Sequence, residues 1–240
     1  MLFAGWDQSI AHGAVVVLND EGRVVGHRAI ISSGVQFAAA RDHVTCMPRR
    51  IRDGKERKDV REVRRLDFLR MWFLDTKQWL AELALEAGDD LILTVEDYAY
   101  GAAQGAHQTG EVGGLLRWSL WCGDEWVWPD GGPRVRLLDP SSVKIFATDD
   151  GSAGKLEMLA AAAGLLVEAD PCLEDGPTQE DSADAVCLAA IGRVEHFVRL
   201  GEIPLSTLPR GQRRVFLRTT KAHPVNLLER PYLRWRDVFA

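Results

Sequence analysis

The 240-residue chain has only four cysteines, Cys46, Cys122, Cys172 and Cys187, widely scattered and without a Cys-x-x-Cys pair. That scarcity excludes a disulfide framework and fits free thiols in a reducing cytoplasm. His43 and Cys46 stand three apart, but no second pair at ligand spacing completes a zinc site. No apolar run approaches the ~20 residues of a membrane span; the longest, 159–167, is short and alanine-rich. A basic region followed by an apolar stretch is missing from the N-terminus, where Asp7 comes too early for a secretion signal. These absences lead to the expectation of a cytoplasmic protein with no membrane partner. An excess of positive charge is missing too. Lys and Arg number 29 against 35 Asp and Glu, a formal −6, which taken alone argues against a polyanionic partner.

What is present is ordinary in bulk and uneven in placement. At 46% hydrophobic and 27% charged, the chain has the composition of a globular domain large enough to bury a substantial core. Residues 41–70 carry 11 Lys and Arg against 6 acids, and residues 206–240 carry 8 against 2. The remainder carries 10 against 27. Two basic segments therefore flank an acidic body, and the net charge conceals them.

Apolar runs and turn residues predict the order of elements. Residues 2–7 read as a buried strand ending on Asp7, and 13–18 as a second strand. Asn19-Asp20-Glu21-Gly22 is turn chemistry, and 23–32 follow as a third strand, antiparallel to the second. Residues 41–60 lack periodicity and read as a basic loop or insertion. From about Asp59, Val63, Leu66, Leu69, Trp72, Phe73, Leu80 and Leu83 recur at helical spacing until Gly88. Residues 91–96 are a strand ending on Glu96. A Gly/Ala-rich connector precedes a helix expected from about Gln108 to Trp121, then a strand over 134–138 halted by Asp139-Pro140. Helices are expected near Ser141, over 155–165 and over 179–200. The result is a mixed α/β fold, with an antiparallel three-strand start and helices on both faces. It places a domain over 1–200 with a basic insertion at about 41–60, and a basic C-terminal extension over 201–240.

Four acids occupy positions suited to chemistry. Asp7 and Glu96 close strands, and ligand sites in open α/β sheets favour the carboxyl ends of strands. Asp181 and Asp184, three apart on the last long helix, project from one face. Small residues, Ser182, Ala183 and Ala185, let that helix end lie against strand termini. Converging carboxylates repel unless cations neutralise them, and hard oxygen ligands suit Mg²⁺ or Mn²⁺. Two such ions roughly 3.5–4 Å apart serve in-line phosphoryl displacement. Each acid also has a plainer reading: an acid at a strand end is often a surface residue, and acids near a helix N-terminus favour its dipole. The ordered set of four is what gives the chemical reading its weight.

LFAGWDQS, LTVEDYAYG and QEDSADAVCLAA together resemble the RuvC family of Holliday-junction resolvases, in the ribonuclease H-like superfamily. The stretch YAYGAAQGAHQTGEVGGLLR is most similar to its phage-borne branch. The resemblance covers about residues 1–200; the tail has no counterpart. It implies a five-stranded ribonuclease H-like sheet with the first three strands antiparallel. It also implies a homodimeric endonuclease that uses two Mg²⁺ ions per site, replaceable by Mn²⁺, without a nucleotide cofactor. Such an enzyme cuts four-way DNA junctions symmetrically and leaves 5′-phosphate ends, in recombination, repair or debranching. By position, Asp7, Glu96, Asp181 and Asp184 correspond to the metal-binding carboxylates. Asp7 would bridge both ions, Glu96 and Asp184 would complete their shells, and Asp181 would orient the attacking water.

Lys155 matches a basic position that supports the scissile phosphate. Its string GSAGKL is not a phosphate-binding loop, since two residues separate the glycines and Leu156 follows the lysine. An aromatic after the second acid stacks on an unpaired junction base in the family. Here Tyr98 and Tyr100 stand two and four beyond Glu96 rather than three, and either could serve. His107 and Gln108 are candidates for DNA contact. The glycines 110, 113 and 114 resemble the family's dimer-contacting helix, although close packing within one chain would also use them.

Arg49, Arg50, Arg52, Lys55, Arg57 and Lys58 form a dense cation cluster suited to phosphate contacts, which add affinity without sequence information. A merely solvated face is the plainer reading. The tail's arginines, with Phe216, Tyr232 and Trp235 interleaved, would clamp DNA or wrap a partner subunit. A ribonuclease H-like nuclease acting on flaps or RNA–DNA hybrids is the nearer alternative function, and a non-catalytic junction-binding protein the more distant one. An actin-like ATPase needs a second domain for which 240 residues leave no room.

Overall fold

Alternation along the first strand decides which layer each residue joins. In the computed structural model, β1 (Leu2–Gln8) sends Leu2, Ala4 and Trp6 to one face of the sheet and Phe3, Gly5 and Asp7 to the other. The structure describes residues 1–8, 12–31, 44–46, 58–97, 113–116, 119–120, 133–174, 176, 178–220 and 223–234.

The remaining strands are β2 (His12–Leu18), β3 (Val24–Ile31), β4 (Val44–Cys46), β5 (Leu91–Glu96) and β6 (Arg134–Leu138). Their order is β4-β3-β2-β1-β5-β6. β1, β2 and β3 are antiparallel, whereas β5 and β6 run parallel to β1. This is the mixed α/β arrangement expected from the sequence, with all five expected strands in place. One addition corrects the reading of 41–60 as a loop: Val44–Cys46 pairs in parallel with Ala29–Ile31 at the sheet edge. A three-residue strand between polar neighbours has no periodicity to reveal it.

Helix α1 (Lys58–Ala87) covers the face bearing Trp6, and α4 (Gln179–Leu200) covers the face bearing Asp7. Between β6 and α4 lie α2 (Pro140–Thr148) and α3 (Lys155–Leu165), and α5 (Arg210–Leu217) follows α4. Residues 113–116 and 119–120 are helical, within the span expected to be a helix. Under α1, fully buried Trp6 meets Trp72 and Phe73 edge-on, with ring centroids 6.3 and 5.8 Å away. Edge-to-face pairs add ~1 kcal/mol to the burial of such rings. Among the described residues no helix is long and apolar enough to cross a membrane. Cys172 and Cys187 are free and buried.

On the other face Phe3, Val16 and Ile92 pack with Val186, Leu188 and Ile191 of α4. Two glycines let α4 lie unusually close. A Cβ on Gly5 would come within 1.9 Å of the Ala185 carbonyl oxygen, and one on Gly192 within 2.6 Å of Thr94 Oγ1. Backbone therefore rests on backbone at β1, one residue beyond Asp184. Gly201 ends α4 in the left-handed conformation, with its N–H bonded to the Phe197 and Val198 carbonyls.

The described tail folds back onto this body. Leu233 bridges Val135 at the β6 edge, Leu227 is fully buried, and Phe216 meets Phe146 of α2 edge-on. Arg136 and Arg199 converge on buried Glu195 and donate to tail carbonyls, Arg136 to Arg230 and Pro231, and Arg199 to Leu227 and Arg230.

Candidate active site

Register and alternation bring the first two acids together. β1 and β5 pair in parallel with Gly5 opposite Thr94 and Trp6 opposite Val95. The next step along each strand is Asp7 and Glu96, both on the α4 face. Gln8 ties the two strand ends, its Nε2 donating to the Glu96 carbonyl at 3.0 Å. The close approach of α4 at Gly5 then sets the helix's first turns, with Asp181 and Asp184, over the same ends. Beside them Ser182 is fully buried and its hydroxyl lies 2.9 Å from His27 Nε2 of β3. That contact pins the start of α4 across the antiparallel half of the sheet.

The electrostatics show that the four acids share one field. Asp7 is 8% exposed. Burial raises its pKa well above the carboxylate range, and Glu96, Asp184 and Asp181 push it further. A hydrogen bond shared with Asp181 adds to this. Glu96 rises to about 7 through burial and the nearby charge of Asp184, against the opposing pull of Lys144. Asp184 rises to about 6 through burial and Asp181, again opposed by Lys144 and more weakly by Lys155. The sequence-predicted acids are thus brought together.

Lys144 is a member of the site that the sequence did not single out. It lies on α2, half-buried, and its charge reaches both Glu96 and Asp184. The Asp139-Pro140 helix start is legible, but which way the helix aims Lys144 depends on how α2 crosses the strand ends. Asp139 is the instructive contrast. It too ends a strand, yet it accepts from Ser142 N–H and from the hydroxyls of Ser141 and Ser142. Burial would raise its pKa, but those hydrogen bonds lower it. Its carboxylate is committed to capping α2.

Lys155 begins α3 at the rim, with 76% of its side chain exposed, and is ion-paired to Glu180 rather than to the central acids. Tyr98, Tyr100, His107, Gln108, Arg49, Arg50, Arg52, Lys55 and Arg57 lie outside the described residues, as does the side chain of Lys58 at the start of α1.

Four carboxylates are hard oxygen donors, and the raised values of three of them mark a site short of compensating positive charge. That chemistry fits a divalent cation such as Mg²⁺. Among the described residues no group of three or more His, Cys, Asp or Glu is spaced to hold a metal ion.

The same repulsion makes a measurable prediction. A carboxylate whose folded pKa exceeds its unfolded one binds protons more tightly when folded, so stability is greatest at low pH. It declines as pH rises from about 4.5 to about 7, the window of Glu96. Melting in EDTA should show a decline of roughly 3 kcal/mol attributable to Glu96 between pH 5 and pH 8. Glu96→Gln should flatten that decline. An equal decline in the variant would show that Glu96 carries no such strain.

A scan against protein-family models and a search of curated proteins find no match. Among solved structures, the chain is similar to T. thermophilus RuvC in complex with a Holliday junction substrate, with a TM-score of 0.49 and 18% identity over 84% of this chain and 96% of that one. It is also similar to a second Thermus thermophilus RuvC structure, with a TM-score of 0.47 and 19% identity over 84% of this chain and 97% of that one.

Proposed function

We propose that the chain is a divalent-metal-dependent DNA endonuclease of the phage-type RuvC branch. As a homodimer it hydrolyses phosphodiesters at symmetric positions in a four-way junction. The observation that supports this most directly is the shared field of Asp7, Glu96, Asp181 and Asp184 at the carboxyl ends of β1 and β5. Asp7, Glu96, Asp181 and Asp184 would hold two Mg²⁺ ions, or Mn²⁺. Bound there, the metal supplies a more acidic nucleophilic water and a counter-charge for the departing 3′-oxygen.

The chain's own groups do the rest. Asp7, the most buried of the four, would be the central carboxylate of the metal site, with Glu96 and Asp184 completing it. Asp181, nearer the rim, accepts a hydrogen bond from the attacking water and orients it. Lys144, whose charge reaches both Glu96 and Asp184, and Lys155, once released from Glu180, hold the scissile phosphate. Either Tyr98 or Tyr100 stacks on an unpaired junction base, while His107, Gln108 and the cations Arg49, Arg50, Arg52, Lys55, Arg57 and Lys58 contact the DNA. The products carry 5′-phosphate and 3′-hydroxyl ends.

The test is parallel incubation of a synthetic mobile four-way junction, a flap and an RNA–DNA hybrid with Mg²⁺, read on a denaturing gel. Paired, symmetric nicks in the junction are the expected result. Preferential cutting of the flap or hybrid would replace junction resolution with a broader ribonuclease H-like activity. No cutting of any substrate, with junction binding intact, would leave a binding protein.

A further inference from the structure

The C-terminal extension turns one helix into a cationic face beside the acidic site. In α5, Gly211, Gln212, Val215 and Phe216 are buried, whereas Arg210, Arg213 and Arg214 are exposed, as is Arg218 just beyond the helix. The helix is tightly seated: a Cβ on Gly211 would come within 2.2 Å of the Ile145 carbonyl oxygen of α2. Phe216 packs edge-on against Phe146 of the same helix. Its orientation is therefore set by α2, the element that carries Lys144.

The electrostatic connections run along α2. Arg218 lies 4.0 Å from Asp139, which directly follows Leu138, the residue paired with Glu96 across β5 and β6. Asp150, just beyond the other end of α2, feels both Arg214 and Lys144. Arg210 stands 3.7 Å from Asp149, with 81% of its side chain exposed. Arg213 has no ion-pair partner among the described residues.

The face carries more positive charge than its acidic neighbours pair, since of these four arginines only Arg210 and Arg218 have an ion-pair partner among the described residues. Arg210 and Arg213, Arg210 and Arg214, and Arg214 and Arg218 sit at three- and four-residue spacings, where like charges repel, and α5 contains no acid. A helix selected only for hydration would interleave acids with its cations. The neighbouring acids also repel a polyanion, so a nucleic acid needs flanking cations to approach them.

We propose that α5 is a phosphate-gripping surface, in which Arg210, Arg213, Arg214 and Arg218 hold the backbone of a duplex arm leading to the acidic site. The assignment rests on the reading of DNA as substrate and gives the tail a role in binding it.

The experiment measures binding of a fluorescein-labelled 30-base-pair duplex to the full chain by anisotropy, in EDTA, between 50 and 200 mM KCl. The alanine pair R213A/R214A should melt within about 2 °C of the parent, since both side chains are exposed. It should bind roughly tenfold more weakly at 50 mM KCl, and the slope of log Kd against log salt should fall by about 2, near 0.9 per lost phosphate contact. R213K/R214K should retain affinity and slope within about threefold, because a phosphate contact requires charge rather than a particular head group. Parental affinity and slope in the alanine pair would overturn the proposal, as would absence of duplex binding by the parent. Because no metal is present, the two readings fail separately. A chain that grips duplex through α5 but cuts nothing loses only the nuclease assignment. One that cuts junctions while the alanine pair binds like the parent loses only this surface.

Discussion

Asp7→Asn should lower Mg²⁺-dependent junction cleavage at least a thousandfold while leaving junction binding within about threefold of the parent. The substitution is nearly isosteric and removes one charge from a residue that is 8% exposed and faces three other acids. A thousandfold loss corresponds to about 4 kcal/mol of barrier. That is a reasonable magnitude for the carboxylate proposed at the centre of the metal site. Binding should survive because phosphate contacts on the surrounding cations supply most of the affinity. A folding defect is distinguishable. With the repulsion relieved, Asp7→Asn should melt above the parent in EDTA at pH 8, not below it. Metal-dependent cleavage within tenfold of the parent would remove Asp7 from the mechanism.

Glu195→Ala should produce the largest loss of stability. Glu195 is fully buried, and Arg136, 5% exposed, binds it through two nitrogens at 3.1 and 2.5 Å. Arg199 adds a third bond at 2.9 Å. Truncation leaves these guanidiniums without their anion in a low-dielectric setting, a change of roughly 3–5 kcal/mol. For a chain of this size the melting temperature should fall by about 8–15 °C. The loss should spread to the tail, because Arg136 and Arg199 also hold the carbonyls of Leu227, Arg230 and Pro231, and the Tyr232 ring lies 4.5 Å from Arg136. Hydrogen exchange over 223–234 should accelerate accordingly, and Glu195→Gln should fall between parent and alanine. A melting point within 3 °C of the parent would mean that the arginines find other partners.

The elements that were legible without a structure are those whose signal is local. β5 and β6 are apolar runs stopped by an acid or by Asp139-Pro140, and α1 and α4 carry long helical periodicities. β4 and α5 were not legible. At three residues, β4 exists through its pairing with β3. At eight residues, α5 is too short to be stable alone and depends on burying Val215 and Phe216 against α2. The tail's cations could therefore be counted in advance but not aimed.

The sequence by itself determined which acids are available and that the chain alternates strands and helices in a mixed sheet. Residue type and short-range period carry both. It also showed that the net charge of −6 conceals two basic segments. Tertiary structure decided the rest. Parallel register set Asp7 beside Glu96, and the contact of α4 with Gly5 brought Asp184 over them. Capping withdrew Asp139 from the set, while the crossing of α2 brought Lys144 into it. These outcomes depend on groups far apart in the chain, and no local pattern encodes the distance between them.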